Sequence, residues 1–223
     1  MTITDQPPGM VAAMASSDAG RYPTFFANIN ALELPTGTEK AIKIGDRVEM
    51  LNDLTAQMLA SDAYWIWFIG DAHSFAPGIV SDLLSRNAPI VAPLSVSAEA
   101  PHLPLVWDEA GTTMKLNEVI GPTSIIEVGG AILDGMLVRR AVFEEIAKDR
   151  SPFFYDVIEE MSSEDAVFCN RARKSGFDIR LDTSSRLSSL ILSSVTPHSN
   201  GHTWSLDVRV GDVLKFDAPV RHK

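Results

Sequence analysis

The chain has 223 residues, 45% hydrophobic and 22% charged, ordinary values for a globular protein with one core or a core plus a small subdomain. A formal net charge of −10 argues against nucleic acid as the main partner, because neutralising phosphates needs clustered Lys and Arg; the densest basic positions are Arg139, Arg140, Arg171, Arg173 and Lys174. A single cysteine, Cys169, excludes an internal disulfide framework and a cysteine zinc cage. With no apolar signal core in MTITDQPPG and no run of about 18 apolar residues, the expectation is a cytoplasmic protein with no membrane partner.

Residues 1–8 read as a loose tail and 9–223 as one domain. MVAAMA, from Met10 to Ala15, is a short buried strand followed by the polar loop SSDAGRYP. A helix opens after Pro23 and runs to Ala31, and 34–37 is a turn. In DRVEMLNDLTAQMLA, Val48, Leu51, Leu54, Met58 and Leu59 form one helical face with Asp46 as N-cap. The apolar strand YWIWFIG then ends abruptly in Gly-Asp-Ala-His, and a second helix covers 78–85. APIVAPL is another buried strand; the proline-rich stretch 95–118 reads as a long loop. Strands are expected at 124–128 and 131–138, and helices at 139–148 and 163–175, the second stopped by Gly176. A strand at 177–181 and an alternating strand at 203–210, followed by a Gly211-Asp212 turn, complete the reading. Alternating strands and helices indicate an α/β fold with a mainly parallel central sheet and helices on both faces. Ligands in such folds bind beyond the carboxyl ends of the strands.

Two segments carry the chemistry. In WIWFIGDAHSF, Asp71 and His73 stand just past the end of an apolar strand, and at i, i+2 they face one cation if the backbone stays extended. A carboxylate and an imidazole suit Mn²⁺ or Mg²⁺ held together with phosphate oxygens; the competing explanation is that Asp71 or Ser74 caps the following helix. In SSEDAVFCNRARKSGF, Glu164 and Asp165 fall at a helix start, where the helix dipole favours carboxylates whatever their function. The functional alternative is a general base. Trp107, in PLVWDEAG, is either a ring for stacking on a sugar or simple packing. Cys169 reads as a small buried hydrophobe.

The order of these features resembles the GT-A glycosyltransferases, family-2-like members especially. The elements in question are the strand and polar loop VAAMASSDAG, the Arg47 and Asn52 of RVEMLNDL, the GDAH strand end and the PIVAP strand. After them come GMLVRRAVFEEI, the Pro152-Phe153-Phe154 triplet, SSEDAVFCNRARKSGF and IRLDTS. The resemblance runs from about residue 10 to residue 185. It implies that Asp165 is the general base with Glu164 beside it, and that Asp71 and His73 form the metal and diphosphate site. Ser16 and Asp18 would lie near the nucleobase, Arg47 and Asn52 in the donor region, and Gly135 and Met136 by the donor sugar and acceptor. The implied donor is a nucleoside-diphosphate sugar, UDP-linked by expectation. The cofactor is a divalent cation, Mn²⁺ or Mg²⁺, and the acceptor is a protein, a nucleic-acid base or a small molecule.

The sequence departs from that pattern at the metal motif. Gly70 and Ala72 stand where carboxylates are often found, leaving an Asp-x-His reading, and Ser188 and Ser189 stand where a third ligand is usual, with His198 as a later substitute. Inverting transfer by Asp165 is the leading expectation; a nucleotide-sugar-binding protein of the same fold without catalysis is the alternative, and a nucleotidyltransferase is the third.

Overall fold

The computed structural model describes residues 6–15, 23–99, 101–119, 124–148, 153–154, 163–191, 193–199, 204–210 and 213–219, the last three as backbone. The chain divides into two compact units, Met1–Ser189 and Leu190–Lys223.

In the first unit β1 (Met10–Ala15) leads to α1 (Pro23–Ala31), β2 (Glu39–Ile44), α2 (Arg47–Leu59) and β3 (Trp65–Gly70). The two-residue β4 (His73–Ser74), α3 (Ile79–Ser85), β5 (Ile90–Leu94), β6 (Val106–Trp107) and the single turn α4 (Leu116–Val119) follow. Then come β7 (Ile125–Val128), β8 (Gly130–Ala131), β9 (Leu137–Arg139), α5 (Arg140–Ile146), α6 (Glu164–Lys174), β10 (Ile179–Arg186) and β11 (Ser188–Ser189). The second unit is a three-stranded antiparallel sheet, β12 (Ser193–Ser199), β13 (Trp204–Val210) and β14 (Val213–Pro219).

The central sheet has seven strands in the order β2-β1-β3-β9-β5-β10-β7. β1 pairs in parallel with β2 and β3, and β5 with β10; β9 and β7 run the other way. The sheet is therefore mainly parallel, as expected. Because side chains alternate along a strand, one apolar run supplies two cores. Trp65, Trp67 and Ile69 of β3 join Val11, Ala13, Val91 and Leu137 against Phe25 and Ile29 of α1 and Ile79, Val80, Leu83 and Leu84 of α3. Ile66 and Phe68 join Met10, Ala12 and Met14 against Leu51, Leu54 and Met58 of α2, Phe143 of α5 and Phe168 of α6. On this second face Phe68, Phe143, Phe154 and Phe168 form a ring cluster with centroids 5.4–6.4 Å apart. Helix α2 starts where its cap dictates: the Asp46 side chain accepts a hydrogen bond from the Glu49 amide at 3.1 Å. Helix α6 ends before Gly176, whose φ of +86° is the left-handed conformation that glycine adopts without a Cβ clash.

Three expectations need correction. The strand read at 131–138 is broken: β8 ends at Ala131, a turn occupies 133–135, and β9 begins only at Leu137. The Asp-Gly pair at 134–135 is a turn signal inside an otherwise apolar run. The stretch 95–118 is not one loop; it holds β6, which pairs with β8, and α4. Strand β2 was missed because it lies at the edge of the sheet, with only one neighbouring strand and with Glu39, Lys40, Ile42 and Ile44 exposed, so its sequence EKAIKI carries no apolar run. The expected turn at Gly211-Asp212 lies outside the described residues. Among the described residues no helix is long and apolar enough to cross a membrane.

The 133–135 turn depends on Gly135. Its φ is +90°, and a Cβ there would stand 2.4 Å from Leu187 Cδ1 and 2.7 Å from Pro93 Cγ. Gly135→Ala is expected to destabilise the protein by about 2–5 kcal/mol, from the left-handed backbone and the forced overpacking together, measured by urea unfolding.

Candidate active site

Strands β1, β3 and β5 run in the same direction, and β9 is inserted antiparallel between β3 and β5. The start of an antiparallel strand lies at the end of its neighbours. The 133–136 turn that feeds β9 therefore sits at the carboxyl end of β3, tied there by hydrogen bonds from the Gly135 amide to the Phe68 carbonyl, 2.7 Å, and from the Phe68 amide to the Met136 carbonyl, 3.1 Å. The Asp71 amide bonds the Met14 carbonyl at 3.0 Å, which keeps the ends of β1 and β3 together. Asp71 and His73 are both buried, 8% and 6% exposed.

One guanidinium organises what gathers at this edge. Arg47, the first residue of α2, donates from Nε to Glu164 Oε1, from Nη1 to Asp134 Oδ1 at 3.0 Å and from Nη2 to Asp165 Oδ1 at 3.3 Å. The Leu133 amide also donates to Asp165 Oδ1, at 2.9 Å. On the far side of the turn, His73 Nε2 lies 3.4 Å from Asp134 Oδ2. The protonation of these groups follows from their surroundings. Burial raises the Asp165 carboxyl, Arg47 and the Leu133 amide pull it back, Asp134 and Glu164 raise it again, and the outcome is a value pushed up to about 6. Burial also acts to raise Asp134, but Arg47 and His73 overcome it and hold this carboxyl well below the usual carboxylate range. Burial acts to lower Arg47, and the three carboxylates outweigh it, keeping the guanidinium above its ordinary value.

Asp134 is the residue that sequence reasoning missed. As a position inside a continuous strand it had no role; as the tip of a turn it reaches both Arg47 and His73. It also explains Gly70. A Cβ at position 70 would stand 2.9 Å from Asp134 Oδ2, so the glycine found where a carboxylate was anticipated makes room for a carboxylate arriving from the turn before β9. The usable signal was the Asp-Gly dipeptide itself.

The other expected site residues fall into three groups. Ser16 and Asp18 lie outside the described residues. Asn52, Trp107 and Met136 have structural partners. The Asn52 side chain accepts from the Phe153 and Phe154 amides, both at 3.1 Å, and donates to the Phe154 carbonyl at 2.7 Å, fixing that segment over α2. Trp107, on β6, lies against Gly130, where a Cβ would stand 2.4 Å from the indole. The Met136 side chain is fully buried in the core, leaving its backbone and that of Gly135 at the strand end. His198 belongs to β12 of the second unit. Strand β11 pairs with β4 and sets Ser189 opposite His73; the Ser189 hydroxyl donates to the Val96 carbonyl at 2.8 Å.

Three of the basic residues are engaged within the protein: Arg140 donates to the Met58, Leu59, Ser61 and Ala63 carbonyls at the end of α2, Arg171 to the Phe153 carbonyl, and Arg173 pairs with Glu109. Cys169 is buried, and burial pushes its thiol up to about 12.

The donors at the end of β3 suit a divalent ion. His73 Nδ1 is buried and has no hydrogen-bond partner among the described residues, and carboxylate with imidazole is a set that Mn²⁺ accepts. Among the described residues no three His, Cys, Asp or Glu side chains form a ready cage, so an ion held there would need further ligands such as phosphate oxygens and water.

No protein-family model matches the chain, and no curated protein sequence does. Solved structures do. A197 from STIV is 14% identical over 96% of this chain and 98% of its own, with a TM-score of 0.56. GalNAc-T7, solved with UDP, GalNAc and Mn²⁺, is 8% identical over 83% of this chain, also with a TM-score of 0.56; this chain spans 44% of its length. The likeness is one of fold: the chain has the GT-A fold of nucleotide-sugar glycosyltransferases.

Asp165 supplies a pH test of the site. Its folded value is raised, so the stability it contributes is fully present below its ordinary value of 3.8 and is lost as pH rises through about 6. In parallel unfolding curves, Asp165→Asn is expected to gain on the wild type between pH 4 and pH 6 and to hold a constant difference above that range.

Proposed function

We propose that the protein is a family-2-like glycosyltransferase that moves a sugar from a nucleoside-diphosphate sugar, UDP-linked by preference, to an acceptor hydroxyl with inversion. The observation that carries this reading is Asp165. It is a buried carboxylate at the start of α6 whose affinity for a proton is raised to about 6, set beside the carboxyl ends of the strands in a GT-A fold. A base that loses its proton near 6 is ionised at neutral pH and still basic enough to accept one. Its Oδ1 is fixed by the Leu133 amide and Arg47, which sets the plane of the carboxylate and leaves Oδ2 to work.

In this mechanism the acceptor oxygen attacks the anomeric carbon in line with the leaving group. The new C–O bond forms as the bond to the diphosphate oxygen breaks. Asp165 takes the acceptor proton, and the diphosphate departs with the bonding electrons. The transition state has oxocarbenium character, as in glycoside hydrolysis, and one base opposite the leaving group is enough for inversion. Asp71 and His73 are the residues that would hold a Mn²⁺ or Mg²⁺ ion, which when bound offsets the charge growing on the diphosphate. Arg47 holds Glu164, Asp165 and Asp134 in a single arrangement and so sets the direction of the base. The acceptor is a protein, a nucleic-acid base or a small molecule. GalNAc-T7, with its bound UDP and Mn²⁺, supports the choice of donor and ion.

A second reading is a nucleotide-sugar-binding protein without transfer. The engagement of Arg47 by three carboxylates favours it, because three of the five guanidinium N–H groups already donate to carboxylates and the positive charge is offset before any phosphate arrives.

Calorimetric titration with UDP, GDP and their sugar conjugates, in Mn²⁺ and then in EDTA, separates these readings from any other. Metal-dependent binding of one nucleotide is expected; no binding to any of them by folded protein would remove the donor site. With the donor identified, Asp165→Asn is expected to keep donor affinity and lose about 10²–10⁴-fold in kcat. Wild-type kcat/KM should rise with pH to a plateau above about 6. Donor binding with no transfer to water or to any acceptor class favours the second reading.

A further inference from the structure

Strand β2 is an edge of the central sheet, paired only with β1, and all six of its residues keep one register with that neighbour. The Glu39 and Gly45 amides donate to the Gly9 and Ala15 carbonyls. Backbone groups alternate in direction along a strand, so residues 39, 41, 43 and 45 face β1, and residues 40, 42 and 44 turn their amides and carbonyls outward. Such an edge is a template for another strand, and proteins commonly guard it with lysines, a proline or a bulge. Strand β2 has no proline and no bulge, and both of its lysines are drawn back onto the chain's own layers. Lys40 Nζ donates to the Ile29 carbonyl of α1 at 2.7 Å, and Lys43 Nζ to Asp53 of α2 at 2.5 Å. Ile42 and Ile44 meanwhile stay 50% and 54% exposed.

We propose that the outer edge of β2 is an interface for a second copy of this chain, the two β2 strands running antiparallel about a twofold axis beside Ala41. Such a pair is isologous, each copy offering the same patch to the other. Outward-facing residues must meet outward-facing residues, which sets the axis at a residue rather than between two. With the axis at Lys40 or at Lys43, like charges face each other. With the axis at Ile42, no charged residue of the strand meets an opposite charge. With the axis at Ala41, Glu39 of each copy lies opposite Lys43 of the other, on the face where Asp53 already holds that lysine. On the other face Ile42 lies opposite Lys40, whose aliphatic stem covers apolar surface while its ammonium stays with α1. The central sheets of the two copies run into one another, and each loses an open edge. None of these residues belongs to the site around Arg47.

Sedimentation velocity of the full-length protein, over a concentration series, reads the association; a dimer is expected in the wild type. Glu39→Lys sets like charges opposite each other on both sides of the axis and is expected to weaken the dimer about 10–100-fold. Adding Lys43→Glu to it restores opposite charges in exchanged positions and is expected to recover the dimer, which a merely damaged fold would not do. Position 41 gives a second readout. Ala41 meets its own counterpart in a non-hydrogen-bonded pair, with Cα atoms about 4.5 Å apart, within reach of a disulfide. Cys169, the one native cysteine, is buried, so Ala41→Cys reports this edge alone. It is expected to link two copies under mild oxidation, and Ile42→Cys, opposite Lys40, to link poorly. Wild-type protein that stays monomeric throughout the series overturns the proposal, and that measurement needs no variant to fold. So does a dimer as tight in Glu39→Lys as in the wild type, a folded double variant that fails to recover it, or oxidation that links Ile42→Cys in preference to Ala41→Cys.

Discussion

A single guanidinium holds the site together. Arg47 begins a helix, where the dipole disfavours a cation, and the site depends on that placement. Asp134, Glu164 and Asp165 come from two other parts of the chain, and each would meet the next as a like charge in a desolvated space. With Arg47 between them they form one arrangement that joins the start of α2, the turn before β9 and the start of α6. The local rule broken at Arg47 is compensated at the level of the site, which is where such exceptions concentrate.

The sheet explains why these pieces meet. Five of its seven strands run one way, so their ends collect the helix starts that follow them. Strand β9 is the exception that matters: running against its neighbours, it delivers the turn at its beginning to the edge where they finish. A parallel strand in that slot would carry its preceding turn to the opposite edge. Asn52, on α2, holds the backbone of Phe153 and Phe154, and the Phe154 ring joins the aromatic cluster of that face.

Much of this was legible in the sequence, and the parts that were not share a cause. Strands β1, β3 and β5 are apolar enough to be read directly, and Asp46 and Gly176 mark helix ends by their chemistry. Asp71, His73, Glu164 and Asp165 announce themselves by standing at element ends. Arg47 was noticed only through a family resemblance, because nothing local requires an arginine there. Asp134 was hidden inside an apolar run in which the sheet-forming pattern outweighed a two-residue turn signal. The partners of both are far along the chain: Arg47 and Glu164 are 117 residues apart, and no window of periodicity reaches that distance.

Position 70 carries a consequence for how this site can change. A Cβ on residue 70 would stand 2.9 Å from the Asp134 carboxylate, so the two positions are coupled rather than independent. A side chain added at residue 70 would have to push the Asp134 carboxylate aside and so loosen the contacts it makes with Arg47 and His73. Change at residue 70 is thereby tied to residue 134, and the smallness of the glycine is a property of the turn that faces it rather than of its own strand.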